Sequence, residues 1–280
     1  MTKPNSPGPA LDPRAELSSF LRTRRARLQP EDVGAASYGS RRRVPGLRRE
    51  ELAQLAGVSV AYYTRLEQGH AANVSDEVLS SIARVLRLSA SEREHLFLLA
   101  RPQPARRQGA VAARQQVRPE LVQMLEAMDA LPVYAWGRCT DILVWNTAAW
   151  ELYEWCFDRS EEQRNWARIV FTDPQAPEYF LDWEAKAAEV AGQLRVDAGQ
   201  HASDARLAAL VAELSASSAR FRELWAAHDV KQHAHGSMRI AHSTAGELQL
   251  RYETLMLPGD ADQALTVTYA ADEASRQALG

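Results

Sequence analysis

Cysteine is scarce in this sequence of 280 residues, which contains only Cys139 and Cys156 and no CxxC spacing. That scarcity argues against a disulfide framework and against a structural zinc site, and it fits a reducing compartment. The sequence also lacks an apolar run near the roughly 20 residues of a membrane-spanning helix, and residues 1–10 lack the apolar stretch of a signal peptide. We therefore expect a cytoplasmic protein that does not enter a membrane.

Sequence motifs of catalysis are missing as well. No Walker loop, GxGxxG or GxSxG element is present, and nothing marks a pair of carboxylates for acid–base work. Four histidines late in the chain match no familiar zinc spacing and have no cysteine near them in the sequence; they are His228, His233, His235 and His242. The sequence predicts a protein that is not an enzyme and holds neither a metal nor a cofactor.

Charge and tryptophan divide the chain into two unlike parts. Residues 1–118 contain 20 Lys and Arg against 11 Asp and Glu, whereas the remainder contains 13 against 25. Only Lys3, Lys186 and Lys231 are lysine, and all seven tryptophans lie at or beyond Trp136. Arginine suits bidentate contacts with phosphate and guanine. We therefore expect one module that binds a polyanion and a second module with another task.

The basic part shows the apolar spacing of five helices. An Asp-Pro pair predicts the start of the first helix, which covers about 13–28. Ser75 is the expected N-cap of the fourth helix. The spacing of Ser91 and Glu94 matches a capping box and predicts the start of the fifth.

A glycine separates the second predicted helix, 48–56, from the third, 60–68. Gly57 can adopt the left-handed conformation that reverses the chain, and Ser59 then serves as the N-cap. Helix, turn and helix are typical of a helix-turn-helix. The alternative is a small helical bundle with such a pair and an arginine run that is solvated surface. The positive charge and the arginines at 41–43 favour a nucleic-acid partner.

This segment resembles the phage-repressor-type (XRE) helix-turn-helix in its MmyB-like form, through RRVPGLRREELAQLAGVS at 42–59 and YYTRLEQG at 62–69. The resemblance covers about 12–100 and implies an all-α, lambda-repressor-like domain of five helices that binds double-stranded DNA. Its implied core contains Ala53, Val58, Tyr63, Leu66, Ile82 and Leu86. The candidate DNA-binding residues are Arg41, Arg42, Arg43, Arg48, Arg49, Ser59, Val60, Ala61, Tyr62, Thr64, Arg65 and Gln68.

Residues 101–118 combine Pro, Gly, Gln and Arg with little apolar content, which is typical of a linker. Beyond it we predict a second domain over 119–275 that begins with a helix near 119–130. The remaining elements are two hairpin strands (131–136 and 141–146), three helices (148–157, 173–196 and 202–228) and three strands (238–242, 247–255 and 265–270). Together they predict an α+β domain with a five-stranded antiparallel sheet and helices over one face.

The second part is also similar to the PAS-like second domain of the MmyB-like regulators, through segments such as LVWN at 143–146, DWE at 182–184 and GELQLRYE at 246–253. This resemblance implies a fatty-acid-like or other small apolar ligand or metabolite. The candidate ligand-binding residues are Tyr134, Trp136, Trp145, Asn146, Phe171, Trp183, Leu194, Arg195, Trp225 and His228.

Each of these ligand candidates has a structural alternative. Aromatic residues at such spacing are more often core. Arg195, a candidate anchor for a carboxylate, has Asp182 and Glu189 as alternative partners, and His228 can simply close a helix. The argument for a pocket comes from the concentration of tryptophan in this part of the chain and not from any single residue.

Two functions follow from the sequence. The first is a transcription regulator that binds an inverted-repeat operator as a homodimer and responds to a small ligand. The second is a constitutive DNA-binding regulator whose acidic domain only dimerises or recruits a protein partner. The tryptophan-rich second domain favours the first.

Overall fold

The computed structural model describes residues 12–34, 46–70, 74–101, 115–230, 233–260 and 262–279. The chain forms two compact units, residues 1–108 with 198–204 and residues 109–197 with 205–280. Arg41, Arg42, Arg43 and most of the expected linker lie outside the described residues. Over the ranges that are described, the helices are too short or too polar to cross a membrane.

The N-terminal region is helical, as predicted. Its described residues form five α-helices and a short 3₁₀ helix at Pro30–Val33, and Phe20, Leu52, Tyr63, Ile82 and Leu96 in the core of the α-helices have no exposed surface. Asp12 Oδ1 accepts a hydrogen bond from the Arg14 amide at 2.9 Å and caps the first helix. The helices are α1 (Pro13–Arg27), α2 (Arg49–Ala56), α3 (Val60–Glu67), α4 (Asp76–Val85) and α5 (Ala90–Ala100).

Two details of this region differ from expectation. Ser89, not Ser91, caps α5: its Oγ accepts from the Glu92 amide at 3.2 Å, and Glu92 Oε2 accepts from the Ser89 amide at 2.8 Å. A serine followed by a glutamate three residues later occurs twice here. The helix begins at the earlier pair, Ser89 and Glu92, so Ser91 and Glu94 lie inside it. Val58 is half-buried rather than part of the core, because it lies in the turn between α2 and α3.

The C-terminal region contains an antiparallel sheet in the predicted hairpin and three-stranded meander. The described residues form five strands in the order β2-β1-β5-β4-β3. Val133 pairs with Val267 across β1 and β5, and Tyr252 pairs with Thr268 across β4 and β5. The strands are β1 (Val133–Trp136), β2 (Ile142–Trp145), β3 (His235–His242), β4 (Gly246–Met256) and β5 (Ala264–Ala270).

Several helices of this region differ from the predicted bounds. The expected helix 173–196 begins later than predicted, because Asp173 Oδ1 accepts from the Gln175 amide at 2.7 Å and forms a turn; the long helix runs from Trp183 to Gln200. The expected helix 202–228 is divided because Ser218 caps a new helix through the Phe221 amide at 3.2 Å. The helices are α6 (Pro119–Glu126), α7 (Thr147–Phe157), α8 (Trp166–Thr172), α9 (Ala176–Tyr179), α10 (Trp183–Gln200), α11 (Ala205–Ser217), α12 (Ala219–Ala226) and α13 (Glu273–Leu279).

Both faces of the sheet are covered near β1, whereas the sequence predicted helices over one face. Val133 and Ala135 pack with Leu121 and Leu125 of α6 on one face. Tyr134 points to the other face, where its ring lies 5.6 Å from that of Trp166. The alternation follows from the two-residue period of a strand. The face that carries Tyr134 borders the larger helical layer.

Strand β3 lies at an edge of the sheet, and a segment before α10 contacts its outer side. Phe180 forms an isolated bridge with Ile240, and the Leu181 amide donates to the Arg239 carbonyl oxygen at 3.0 Å. These bonds hold the start of α10 beside β3.

Candidate functional site

The outer face of α3 is open to solvent. Val60 is 41% exposed and Tyr62 is 37% exposed, whereas Tyr63 and Leu66 are buried. Thr64 is half-buried, and four more of the candidate residues are exposed, namely Ser59, Ala61, Arg65 and Gln68. The sequence prediction of an inner and an outer face therefore holds for this helix.

The turn before α3 explains its position. Gly57 has a φ of +71°, a left-handed conformation that strongly favours glycine. Ser59 Oγ then accepts from the Tyr62 amide at 3.1 Å and caps α3. At the start of α2, the Arg48 amide donates to Glu51 Oε2 at 2.8 Å. These local bonds determine where α2 and α3 begin.

A buried glutamate joins three helices behind this surface. Glu67 Oε1 accepts from Arg25 Nε of α1 at 2.7 Å, and Glu67 Oε2 accepts from Arg49 Nε of α2. Glu67 is 1% exposed and Arg49 is 44% exposed, so the pair reaches from the core to the surface. The hydrogen bond with Glu67 raises the pKa of Arg49, and burial, followed by the charge of Glu67, raises the pKa of Tyr63. The exposed start of α2 is thereby held against α3.

A small cavity lies inside the C-terminal unit. Its volume is about 20 Å³, which is room for about one water molecule. Three rings form its aromatic walls, those of Tyr134, Trp136 and Trp166. The remaining lining residues are Thr140, Lys186, Glu189, Val190, Gln193 and His233.

An ionic cluster forms the polar wall of the cavity. Glu189 Oε1 lies 2.8 Å from Lys186 Nζ and 2.7 Å from His233 Nδ1, while Glu189 Oε2 accepts from the Tyr252 hydroxyl. Burial raises the pKa of Glu189, but the charge of Lys186 and the contact with His233 outweigh it and hold that pKa well below its usual value. Burial and the neighbouring carboxylate raise the pKa of Tyr252. Glu189 therefore stays ionised.

A groove of about 250 Å³ adjoins the cavity, with Lys186 and Glu189 in the walls of both. The groove runs between β3 and the start of α10, and its apolar lining includes Phe180, Met238 and the ring of Tyr252. The ionic cluster stands between the groove and the cavity.

The predicted ligand residues fall into separate places. Tyr134 and Trp136 line the cavity. The Trp145 ring is tilted against that of Phe157, with centroids 4.8 Å apart, and the Phe171 ring lies 5.0 Å from that of Phe221. Leu194 is fully buried.

Two further candidates hold the backbone in place. Asn146 Oδ1 accepts from the Val133 amide at 3.0 Å and from the Ala149 amide at 2.9 Å, which ties β1 to α7. Trp183 Nε1 donates to the Val170 carbonyl oxygen at 2.9 Å. These bonds are structural.

Arg195, Trp225 and His228 form a group of their own. The Arg195 guanidinium lies 3.8 Å from the centre of the Trp225 ring, and Arg195 Nη1 is 2.9 Å from His228 Nδ1. The two carboxylates that were its alternative partners pair elsewhere, Asp182 with Arg239 and Glu189 with Lys186.

Sequence reasoning did not include Lys186 and Tyr252, considered Glu189 only as a partner of Arg195, and considered His233 only as a metal ligand. One signal was present: a lysine in a chain with three, placed three residues before a glutamate within the tryptophan-rich part. Within the ranges described, the structure contains no group of three or more His, Cys, Asp or Glu arranged to hold a metal ion.

Comparisons with known families match both parts of the chain. A family model described as the MmyB-like transcription regulator ligand binding domain matches residues 117–280. A second model, described as a helix-turn-helix domain, matches residues 16–96. A search of curated proteins gave no match.

Proposed function

The chain belongs to the MmyB-like transcription regulators, and on that premise we propose that it is an XRE-type regulator whose affinity for an operator changes when a small ligand binds. Its helix-turn-helix binds DNA, its C-terminal domain is a ligand-binding domain, and its families are transcription regulators rather than enzymes. The observation that carries the proposal is the exposed outer face of α3 beside the buried Glu67 cluster.

The proposed DNA interface divides into two kinds of contact. Exposed side chains of α3, among them Tyr62, Arg65 and Gln68, read base edges in the major groove. The arginines at 41–43, with Arg48 and Arg49 at the start of α2, contact phosphates. The proposed DNA-binding domain covers 12–100, the linker 101–118 and the ligand-binding domain 119–275.

A homodimer is the proposed active form. Two recognition helices related by a twofold axis enter successive major grooves on one face of an inverted repeat, with half-sites about 34–36 Å apart or a multiple of that distance. Light scattering of the protein–DNA complex, together with footprinting, tests the stoichiometry and the spacing. A single protected half-site with one bound chain would contradict this form.

The experiment that tests base reading begins with DNA sites selected by the full-length protein from a random pool. Arg65→Ala should then cost about 1–3 kcal/mol on the selected site and little on scrambled DNA. Arg93→Ala, which removes the same charge from α5, is the matched control. Equal losses on both DNAs would refute the base-reading role of Arg65.

The phosphate contacts have a different signature. Arg49→Gln should weaken binding to selected and scrambled DNA alike and reduce the slope of log affinity against log salt by about one contact's share, roughly 0.9. A loss confined to the selected site would contradict the phosphate assignment.

The proposed ligand is small and mainly apolar, fatty-acid-like or another metabolite, and it binds near Tyr134 and Trp136. Such a ligand alters DNA binding only as far as it prefers one state of the protein, and a tenfold effect needs about 1.4 kcal/mol of preference. Native mass spectrometry of the purified protein tests for a bound molecule. If no molecule binds at any concentration tested, this result and the small size of the cavity together favour the constitutive alternative.

A further inference from the structure

We infer that α5 of the N-terminal unit is an interaction surface for residues 198–204 of the same chain, which we call the return segment, and that α10 transmits the state of the C-terminal unit to DNA binding through this contact. The inference rests on the proposed function, because it names the route by which a ligand changes DNA affinity. It gives α5 a role that is distinct from the DNA-binding role of α3.

The chain enters the N-terminal unit twice. Residues 1–108 form most of this unit, and the return segment belongs to it as well, although the residues on either side belong to the C-terminal unit. Because α10 runs from Trp183 to Gln200, its last residues lie in one unit and its earlier residues in the other. Ala198 is 1% exposed and Asp204 is 4% exposed, so both ends of the return segment are buried. One helix is thus shared by the two units.

Gly199 makes the close contact with α5. It lies inside α10, and its φ is outside the left-handed region in which glycine commonly ends a helix. A Cβ atom at this position would lie 2.8 Å from His95 Cε1, 2.9 Å from His95 Nδ1 and 3.7 Å from Leu99 Cδ2. Glycine weakens a helix relative to alanine. The close approach of α5, and not the stability of α10, therefore explains a glycine here.

The His95 ring has little room to move aside. It is buried, and its centroid lies 5.3 Å from that of Phe20 in an edge-to-face arrangement. Leu99, one turn later on α5, is buried as well. A closely packed interior accommodates an added methyl group only by shifting its neighbours. The surface of α5 therefore fits a helical residue without a side chain, which is the residue that α10 provides.

A series of contacts leads from this surface to the DNA-binding face. Phe20, which packs against His95, lies on α1 together with Arg25. Arg25 Nε donates to Glu67 Oε1 at 2.7 Å, and Glu67 Oε2 accepts from Arg49 Nε at the start of α2. Packed side chains and hydrogen-bond networks of this kind couple distant sites. A shift of α5 against α1 thus reaches the groups that lie behind α3.

The residue before the return segment is tied to the wall of the cavity. Asp197 Oδ2 accepts from the Cys139 amide at 2.9 Å, and Asp197 Oδ1 accepts from Gln193 Nε2 at 3.1 Å. Gln193 and Thr140 line the cavity. Cys139 and Thr140 have φ values of +59° and +63°, which side-chain-bearing residues adopt at a cost, so this turn depends on the bonds that hold it. A molecule that displaces the wall therefore loosens α10 directly before it enters the N-terminal unit.

Gly199→Ala tests the contact by the sign of its effect. Alanine strengthens a helix that is open to solvent, whereas here its Cβ collides with His95. Hydrogen exchange of the full-length protein, measured by mass spectrometry, should show α5 exchanging about threefold faster or more in this variant. Gly199→Leu, which also introduces a good helix former, should have a larger effect. Gln200→Ala, at the neighbouring exposed position, is the control. Unchanged or slower exchange of α5 in both glycine variants would overturn the contact.

A double-mutant cycle assigns the effect to His95. His95→Ala removes the ring that the new Cβ would meet. Adding Gly199→Ala to the His95→Ala variant should therefore slow the exchange of α5 or leave it unchanged, although the same substitution accelerates exchange in the unaltered protein. If Gly199→Ala has the same effect in both backgrounds, these two residues are not the point of contact.

DNA affinity tests the route through α10. Asp197→Ala removes the bonds to the cavity wall and should change the affinity for the selected DNA site by about threefold or more. In the Gly199→Leu background it should have no effect, because the contact with α5 is already lost. Asp173→Ala removes a carboxylate that pairs with Arg159 away from α10 and is the matched control. Tryptophan fluorescence checks that the C-terminal part of each variant is folded. An unchanged affinity in Asp197→Ala, or an effect that persists in the Gly199→Leu background, would refute the route.

Sodium decanoate, a fatty-acid-like probe, separates this inference from the proposed function. A change in DNA affinity that decanoate causes in the unaltered protein and not in Gly199→Leu supports both. An equal change in the two proteins supports ligand-responsive regulation and overturns the route through α10. If decanoate binds without changing DNA affinity, while Asp197→Ala acts and Gly199→Leu abolishes its effect, the proposed response to such a ligand is contradicted and the route stands.

Discussion

The two units contain buried glutamates with similar partners and different surroundings. Glu67 contacts two arginines and lies near a tyrosine hydroxyl, and Glu189 contacts a lysine, a histidine and a tyrosine hydroxyl. Glu67 is packed among helices, and one of its arginines reaches the surface. Glu189 borders a cavity and a groove. The same chemistry therefore joins helices in one unit and lines a cavity and a groove in the other.

The difference lies in the cation. The Arg25 guanidinium donates both to Glu67 Oε1 and to the Leu47 carbonyl oxygen, the latter at 2.6 Å, and Arg49 Nε donates to Glu67 Oε2. The ammonium of Lys186 is a point charge with donors to spare. The arginine-based cluster holds three helices together, whereas the lysine-based cluster lies at the wall of a cavity.

The largest effect is expected for Glu67→Gln. Removing one charge of a buried ionic cluster leaves the others uncompensated and costs about 3–5 kcal/mol. Since all seven tryptophans lie at or beyond Trp136, urea unfolding followed by fluorescence reports on the C-terminal part, while circular dichroism reports on both. The circular dichroism transition should move and the fluorescence transition should not. Glu77→Gln, at an exposed position in α4, is the control, and coincident shifts would contradict separate roles.

Acid should act on the Glu189 cluster next. The pKa of Glu189 is lowered in the folded chain. The stabilisation that ionised Glu189 gives the folded state is therefore fully present above the usual carboxyl pKa of about 4.5 and is lost as the pH falls through the lowered pKa. Fluorescence-detected unfolding, measured in steps from pH 6 downwards, should show this loss of stability below about pH 4.5. The double variant Lys186→Met/Glu189→Gln should lack the contribution of Glu189 to the acid-induced loss of stability. An acid dependence equal to that of the unaltered protein would contradict the role of the cluster.

Two glycines in left-handed conformations sharpen the comparison within the N-terminal unit. Gly57→Ala meets open space and should cost about 1–2 kcal/mol for the conformation alone. Gly69→Ala has the same conformational strain, and its Cβ would also collide with the Arg14 backbone, so it should cost more. Thermal unfolding of both variants measures the difference, and an equal loss would show that α1 moves freely at Arg14.

The smallest effect is expected for Ser59→Ala. Loss of an N-cap costs about 1 kcal/mol, and here it should also raise the dissociation constant for selected DNA because α3 begins at this residue. Ser75→Ala removes the matched cap of α4, whose Oγ accepts from the Val78 amide at 3.3 Å. It should destabilise the unit equally with less effect on DNA. Equal effects on DNA affinity would remove the special role of the α3 cap.

The helices and strands that the sequence predicted well are those with local signals. Gly57 and Ser59 determine the turn before α3 through backbone conformation and one hydrogen bond, both readable over a few residues. The choice between Ser89 and Ser91 as the cap of α5 was wrong because both have a glutamate at the required spacing. The long helix expected at 173–196 begins only at Trp183, because a local turn at Asp173 and the pairing of Phe180 with Ile240 compete with helix formation before that residue.

The ligand cavity was only partly predictable. The alternation of β1 puts Tyr134 and Trp136 on one face, which the sequence indicates. The cluster at Glu189 joins α10 to His233 and to β4, and these residues are 44 and 63 positions from Glu189 along the chain, a separation without a local pattern. The stacking of Arg195 on Trp225, likewise, depends on how two helices pack.

The hydrogen bond between Leu181 and Arg239 also covers part of the edge of β3. An uncovered strand edge recruits strands from other molecules and leads to aggregation. Wholesale departure of the segment at 180–181 would bare β3 in this way. The bridge at Phe180 and the backbone bond at Leu181 thus shield this stretch of β3 from pairing with a strand of another molecule.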